Sequence, residues 1–195
     1  MPHHLTAFVR FRFRQPELKG RVLRVTYSES YGDEPRRIPW ERRNGNRCDY
    51  TKSIYSPIDI YEFRWKRNPC GNLGYYADEM EQEIFMPFHW KTFRFIRLNI
   101  DVGSTDLVFD GVEIETVNYP LEAEAQIIVS GDDAFVENFW TAGIRTFENC
   151  MLDCYEDCPF SERMQYAMGT RSMSLFTYLL SGDDQLARQA IRSTA

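Results

Sequence analysis

Apolar and polar residues alternate along the first 118 residues and recur at helical spacing after residue 130. The clearest alternation is Val9-Arg10-Phe11-Arg12-Phe13-Arg14. A period of two puts three apolar side chains on one face and three arginines on the other, which predicts a half-buried strand over Leu5–Arg14. Pro16 and Gly20 mark a turn before a second strand, Arg21–Ser28. Gly32–Asn46 is polar, with Pro35, Pro39 and Gly45, and reads as an exposed loop. Asp59–Lys66 places Tyr61, Phe63 and Trp65 on one face, and Gln82–Phe85 and Thr92–Asp101 read as further strands. Leu107–Phe109 reads as a short strand closed by Asp110-Gly111. Val112–Val117 is the last, with Val112, Ile114 and Thr116 opposite Glu113 and Glu115. Many short strands with turn signals between them predict an antiparallel β-sandwich of jelly-roll type.

The period changes after Tyr119-Pro120. Leu121–Ser130 is a connector. Asp132 or Asp133 can cap a helix carrying Phe135, Phe139, Ala142, Thr146, Cys150 and Cys154 at three- and four-residue steps. Pro159 lacks an N–H and biases Cys158 away from helical backbone, so this helix should end near Cys154–Tyr155. A second helix is predicted from Ser161 to Leu180, stopped by Gly182, and a third over Asp184–Arg192, capped by Asp183. The fold class is therefore α+β, with a sandwich and its connector over residues 1–130 and a helical part over 131–195. Three such helices leave an apolar face uncovered, through which the chain could self-associate.

Composition narrows the classes. Hydrophobic residues make up 43% and aromatics 15% of the 195 residues, enough for a substantial core. Residues 1–100 hold 18 Lys and Arg against 12 Asp and Glu; residues 101–195 hold 5 against 17. A basic half with interleaved aromatics is one signature of nucleic-acid binding, but the alternation of Arg10, Arg12 and Arg14 reads as the solvated face of a strand, and no nucleic-acid partner is expected. No apolar run approaches the roughly 20 residues of a membrane span. The first 14 residues carry charges where a signal peptide has its apolar core. His3-His4 has no third ligand nearby, and no metal or cofactor is expected. Five cysteines are too few for a disulfide scaffold. Cys150, Cys154 and Cys158, four residues apart, read as buried thiols on a helix face rather than a zinc set.

Three acids, Glu156, Asp157 and Glu162, surround the Cys158-Pro159 break. Two readings stand side by side. Ser161-Glu162 at a helix start is ordinary capping chemistry. Equally, a carboxyl on a helix start and one on the preceding loop can face one cleft, as glycoside hydrolysis requires.

The residues around that break carry a resemblance. Asp157-Cys158-Pro159, Glu162-Arg163, Gln165-Tyr166-Ala167-Met168 and Thr170-Arg171-Ser172 resemble the signature of the α-L-rhamnosidase family. Pro87–Leu98, Tyr119-Pro120-Leu121-Glu122, Leu175-Phe176-Thr177-Tyr178 and Asp183–Arg188 fit the same family in the same order. The resemblance implies a sandwich followed by the first helices of an α/α six-hairpin toroid, here a truncated part of that domain. It implies an inverting hydrolase acting on terminal α-L-rhamnosyl groups, with L-rhamnose-containing glycosides as partners. Glu162 would be the general acid, Asp157 would accept hydrogen bonds from the sugar, and Tyr166 would lie against the ring. Many relatives carry Asp where this chain has Gly169, and Arg where it has Ser161. The family's general base comes from a later part of the toroid. The alternative is a non-catalytic carbohydrate-binding or interaction module, in which Trp40, Trp65 or Trp90 stack on sugars instead of packing in the core.

Overall fold

The computed structural model describes residues 1–14, 20–33, 46–63, 82–103, 107–128, 130–131 and 134–194. Trp40, Trp65, Cys70 and the capping candidates Asp132 and Asp133 lie outside them. The chain divides into two compact units, Met1–Thr116 and Val117–Ala195.

Unit 1 is built on β1 (Leu5–Arg14), the strand with the sharpest alternation. One edge of β1 pairs antiparallel with β9 (Val108–Thr116); the other pairs with β6 (Gln82–Phe85) and β7 (Lys91–Phe93). A second antiparallel sheet has β2 (Val22–Ser28) between β5 (Ile58–Glu62) and β8 (Phe95–Ile100). Short strands β3 (Tyr31–Gly32) and β4 (Ser53–Ile54) pair separately. The two larger sheets share one core: Ala7, Val9, Phe11 and Phe13 from β1, Leu23, Val25 and Tyr27 from β2, with Phe63 and Phe93. Fully burying each large apolar side chain contributes about 1.5–3 kcal/mol. On the opposite face of β1 the arginines meet the acids of β9. Arg10 and Arg12 reach Glu113 at 3.1 and 2.8 Å, and Arg14 reaches Asp110 at 2.6 Å. The arginine row is thus engaged within the sheet.

Two local details differ from the sequence reading. Asp110-Gly111 is not a turn; it lies inside one continuous strand, β9, at a register shift opposite Arg12/Phe13. Gly111 has φ +145°, a conformation that admits an extra residue without a side-chain clash. Conversely, Thr92–Asp101 is two strands. β7 joins the sheet of β1 and β8 joins that of β2, and the chain changes sheet at Arg94, whose N–H bonds Ser28 O at 2.9 Å.

Unit 2 contains α1 (Ala134–Asn149), α2 (Ala167–Ser181) and α3 (Gln185–Thr194). The connector packs here: Tyr119 N–H donates to Met151 O at 2.7 Å, and the amides of Glu124 and Ala125 donate to Leu180 O. α1 ends earlier than its spacing predicts. Its last turn tightens through Cys150 N–H to Phe147 O and Met151 N–H to Glu148 O, each 3.0 Å. Met151 then bridges to Tyr155, so Cys150 and Cys154 lie in a turn, not on a helix. All four described cysteines are free, and burial pushes the Cys150 and Cys154 thiols up to about 11. α2 stops at Gly182, φ +71°, whose N–H bonds Tyr178 O. Asp183 Oδ1 accepts the Gln185 N–H at 2.8 Å and caps α3. Met151, Tyr155, Leu186, Ala187 and Ala190 form the core of this unit. Phe135 and Phe139 of α1, Met168 and Leu179 of α2 and Ile191 of α3 remain largely exposed.

Candidate functional site

The acids around Cys158-Pro159 are held by a loop anchored in the core of unit 2. Tyr155 is 1% exposed, and its hydroxyl shares a 2.8 Å hydrogen bond with Thr177 Oγ1 on α2. After it the chain extends, turns over residues 159–162 and returns. Asp157 N–H donates to Met164 O at 3.0 Å, Asp157 Oδ1 accepts Met164 N–H at 3.3 Å, and Arg163 N–H donates to Cys158 O at 3.0 Å. Arg163 takes φ +53°, the one non-glycine with positive φ among the described residues. Its Nε donates to Pro159 O at 3.1 Å. A residue in the left-handed region ends helical propagation, so α2 begins at Ala167 rather than near Ser161. Glu162 therefore stands on a closed loop, and Tyr166 is the N-cap residue of α2.

The loop brings Asp157 and Glu162 together. Their ligand oxygens and Cys158 Sγ lie within 4.8 Å of one another, and the two carboxyls share a hydrogen bond. That bond, together with the Asp157 charge, raises the Glu162 pKa above the ordinary glutamate value. Partial desolvation pushes Asp157 up, but the bond from Glu162 and the backbone amides of Cys158 and Met164 outweigh it and leave Asp157 below its ordinary value. The two shifts run in opposite directions, so Glu162 holds a proton more tightly than a free glutamate and Asp157 less tightly than a free aspartate. Desolvation adds less to the Glu162 shift than either the bond or the Asp157 charge, in keeping with the exposure of Glu162. Asp157, Cys158 and Glu162 are also the residues that could offer three ligand atoms to a cation. Nothing further among the described residues points to a metal.

Tyr166 is 47% exposed and turns its hydroxyl to Met164 Sδ at 3.7 Å. No hydrogen bond among the described residues links it to the acid pair. Gly169 lies in the first turn of α2, with no heavy atom within 4 Å of where a Cβ would stand.

Glu156 has a role that sequence reasoning did not assign. It is 3% exposed, and its Oε2 is buried without a hydrogen-bond partner. Burial pushes its carboxyl up to about 7; Arg163 pulls it down, while Asp153 and Asp157 push it further up. The only signal in the sequence was its place beside Tyr155, the residue that enters the core.

Trp90 packs edge-on against Phe8 with ring centroids 6.3 Å apart, as a partly buried residue rather than an open platform. A different group, Tyr31, Tyr50 and Phe95, clusters at centroid distances of 4.9–6.4 Å, with Tyr50 72% exposed. No described helix is long and apolar enough to cross a membrane.

No protein-family model matches the chain, and no curated protein sequence matches it. Among solved structures it is similar to the GH78-family rhamnosidase of Bacillus sp. GL1, with a TM-score of 0.69 and 17% sequence identity. The match covers 97% of this chain and 17% of that one, so the chain spans a small part of the rhamnosidase's length. At this identity the likeness is one of fold: an α+β chain of antiparallel sheets and three helices corresponds to part of a glycoside hydrolase.

Proposed function

We propose that this chain carries the acid side of an α-L-rhamnosidase-type glycoside hydrolase, with residues 131–195 as the N-terminal part of a six-hairpin domain. Glu162 is the general acid that protonates the glycosidic oxygen. Asp157, charged beside it, accepts hydrogen bonds from sugar hydroxyls, and Tyr166 lies against the apolar face of the ring. The observation that supports this reading is the meeting of the Asp157 and Glu162 carboxyl oxygens within 4.8 Å on one loop, where Asp157 raises the Glu162 pKa above its ordinary value. A general acid must hold its proton more tightly than a free carboxyl does, and a neighbouring carboxylate moves Glu162 in that direction.

Inversion also needs a base about 6.5–9.5 Å away, on the other side of the sugar. No residue of this chain is assigned that role, and acid–base contributions run to about 10²–10⁴-fold each. The 195 residues alone are therefore expected to bind rhamnosides weakly and turn them over little. The test is a purified chain with an aryl α-L-rhamnoside. Rhamnose should shift the carboxyl NMR signals of Asp157 and Glu162, and turnover should be negligible. Absence of any shift at high rhamnose concentration refutes the site assignment. Robust turnover abolished by Glu162→Gln refutes the missing base and strengthens Glu162.

The second reading, a carbohydrate-binding or interaction module, is favoured by the Tyr31–Tyr50–Phe95 cluster with its exposed ring. It predicts sugar-induced shifts at Tyr50 and none at Glu162.

A further inference from the structure

Cys158 makes two contacts with one residue. Its Sγ accepts the Glu162 backbone N–H at 3.3 Å and lies 3.8 Å from Glu162 Oε2, to which its S–H donates. Its own carbonyl accepts the Arg163 N–H at 3.0 Å. Three bonds thus run from one cysteine to the two residues at the tip of the turn. Arg163 stands at φ +53°, a sparsely populated conformation that persists only where its surroundings over-determine it. Pro159 has no N–H and limits Cys158 to extended backbone, which sets up the return of residue 162 over residue 158. Cys150 and Cys154 differ: neither hydrogen-bonds Glu162, and desolvation dominates the environment of each thiol. Cys158 is partly buried like the other two, and what sets it apart is its pair of sulfur contacts with Glu162.

We propose that Cys158 is a positioning residue whose sulfur grips Glu162 by both backbone and carboxyl and holds that carboxyl against Asp157. The inference rests on the reading of Glu162 as the acid for its functional meaning, but its geometry stands without it. The thiol does two jobs that a hydrocarbon cannot. It anchors the amide that ends the turn, and it restrains rotation of the carboxyl toward solvent. A serine keeps both hydrogen-bonding capacities with a smaller atom set closer to Cβ, so it should restore part of the grip. Alanine removes it.

The experiment reads Glu162 itself, not hydrolysis, so its failure is distinguishable from failure of the rhamnosidase reading. Glu162 amide exchange and carboxyl titration are followed by NMR in the wild type, Cys158→Ala, Cys158→Ser and, as a thiol-removal control in unit 1, Cys48→Ala. In the wild type the Glu162 amide should exchange at least about five-fold more slowly than an unbonded amide, the factor a typical net hydrogen bond controls. In Cys158→Ala that protection should vanish and the Glu162 titration midpoint should move down, since a released carboxyl leaves Asp157, whose bond and charge raise it more than the S–H donor lowers it. Cys158→Ser should recover part of both effects, and Cys48→Ala should change neither. An unprotected Glu162 amide in the wild type overturns the proposal even if the alanine variant does not fold. So does a folded Cys158→Ala in which Glu162 exchange and titration are unchanged.

Discussion

Glu156→Gln should weaken the pH dependence of stability in the helical unit. Glu156 is 3% exposed, its Oε2 lacks a partner, and burial moves its midpoint from 4.5 to about 7. A carboxyl whose folded value is raised favours the folded state when protonated. Its contribution is full below 4.5, falls as pH rises toward 7, and is gone above that. Each tenfold in proton affinity is about 1.4 kcal/mol, so the loss across that window is at most about 3 kcal/mol. Asp157 is lowered, so its own contribution disappears only at acid pH, below this window. Glu162, raised and exposed, acts in the same direction as Glu156 but is present in both proteins and cancels from their difference. Glutamine keeps the shape and cannot ionise. The assay is urea unfolding followed by circular dichroism at 222 nm, where the helices of unit 2 dominate, in steps from pH 4.5 to 8. The wild type should lose more stability with rising pH than the variant does, the difference being the Glu156 contribution. Parallel slopes for the two proteins, or a wild type that gains stability over this range, would refute the reasoning.

Asp157→Asn should bring the Glu162 midpoint down toward the ordinary glutamate value, read by carboxyl NMR, because the Asp157 bond and charge are what raise it; an unchanged midpoint would disconnect the pair. Phe13→Ala should cost about 3–5 kcal/mol in unit 1, since the ring is fully buried and meets Phe63 and Phe109 at 5.2 and 5.3 Å; thermal unfolding followed by near-ultraviolet circular dichroism measures it, and a loss under 1 kcal/mol contradicts the packing. Gly182→Ala should lower unit 2 stability by about 1 kcal/mol through φ +71° alone, as nothing lies within 4 Å of an added Cβ; a neutral result in chemical unfolding would mean that the cap relaxes.

Local periodicity was sufficient for most elements. The alternation of Val9, Phe11 and Phe13 identifies β1 and its buried face. Gly182 and Asp183 mark the end of α2 and the start of α3, because stop and cap chemistry act within a few residues. That Asp157 precedes Cys158-Pro159 on a loop was also legible. Three features were not. Asp110-Gly111 carries the residues of a turn, yet the pairing of β9 with β1 absorbs it as an irregularity within one strand. The helix expected from Ser161 waits until Ala167, because the bonds from Asp157 to Met164 and from Cys158 to Arg163 close the loop first. The charges of the acids were decided last of all. Glu162 is raised chiefly by a neighbour, and Glu156 is raised chiefly by burial beside Tyr155. Periodicity reports which face of an element is apolar. A carboxyl's proton depends on the oxygen that meets it and the water removed from it, and those are set only when the loop closes on the core.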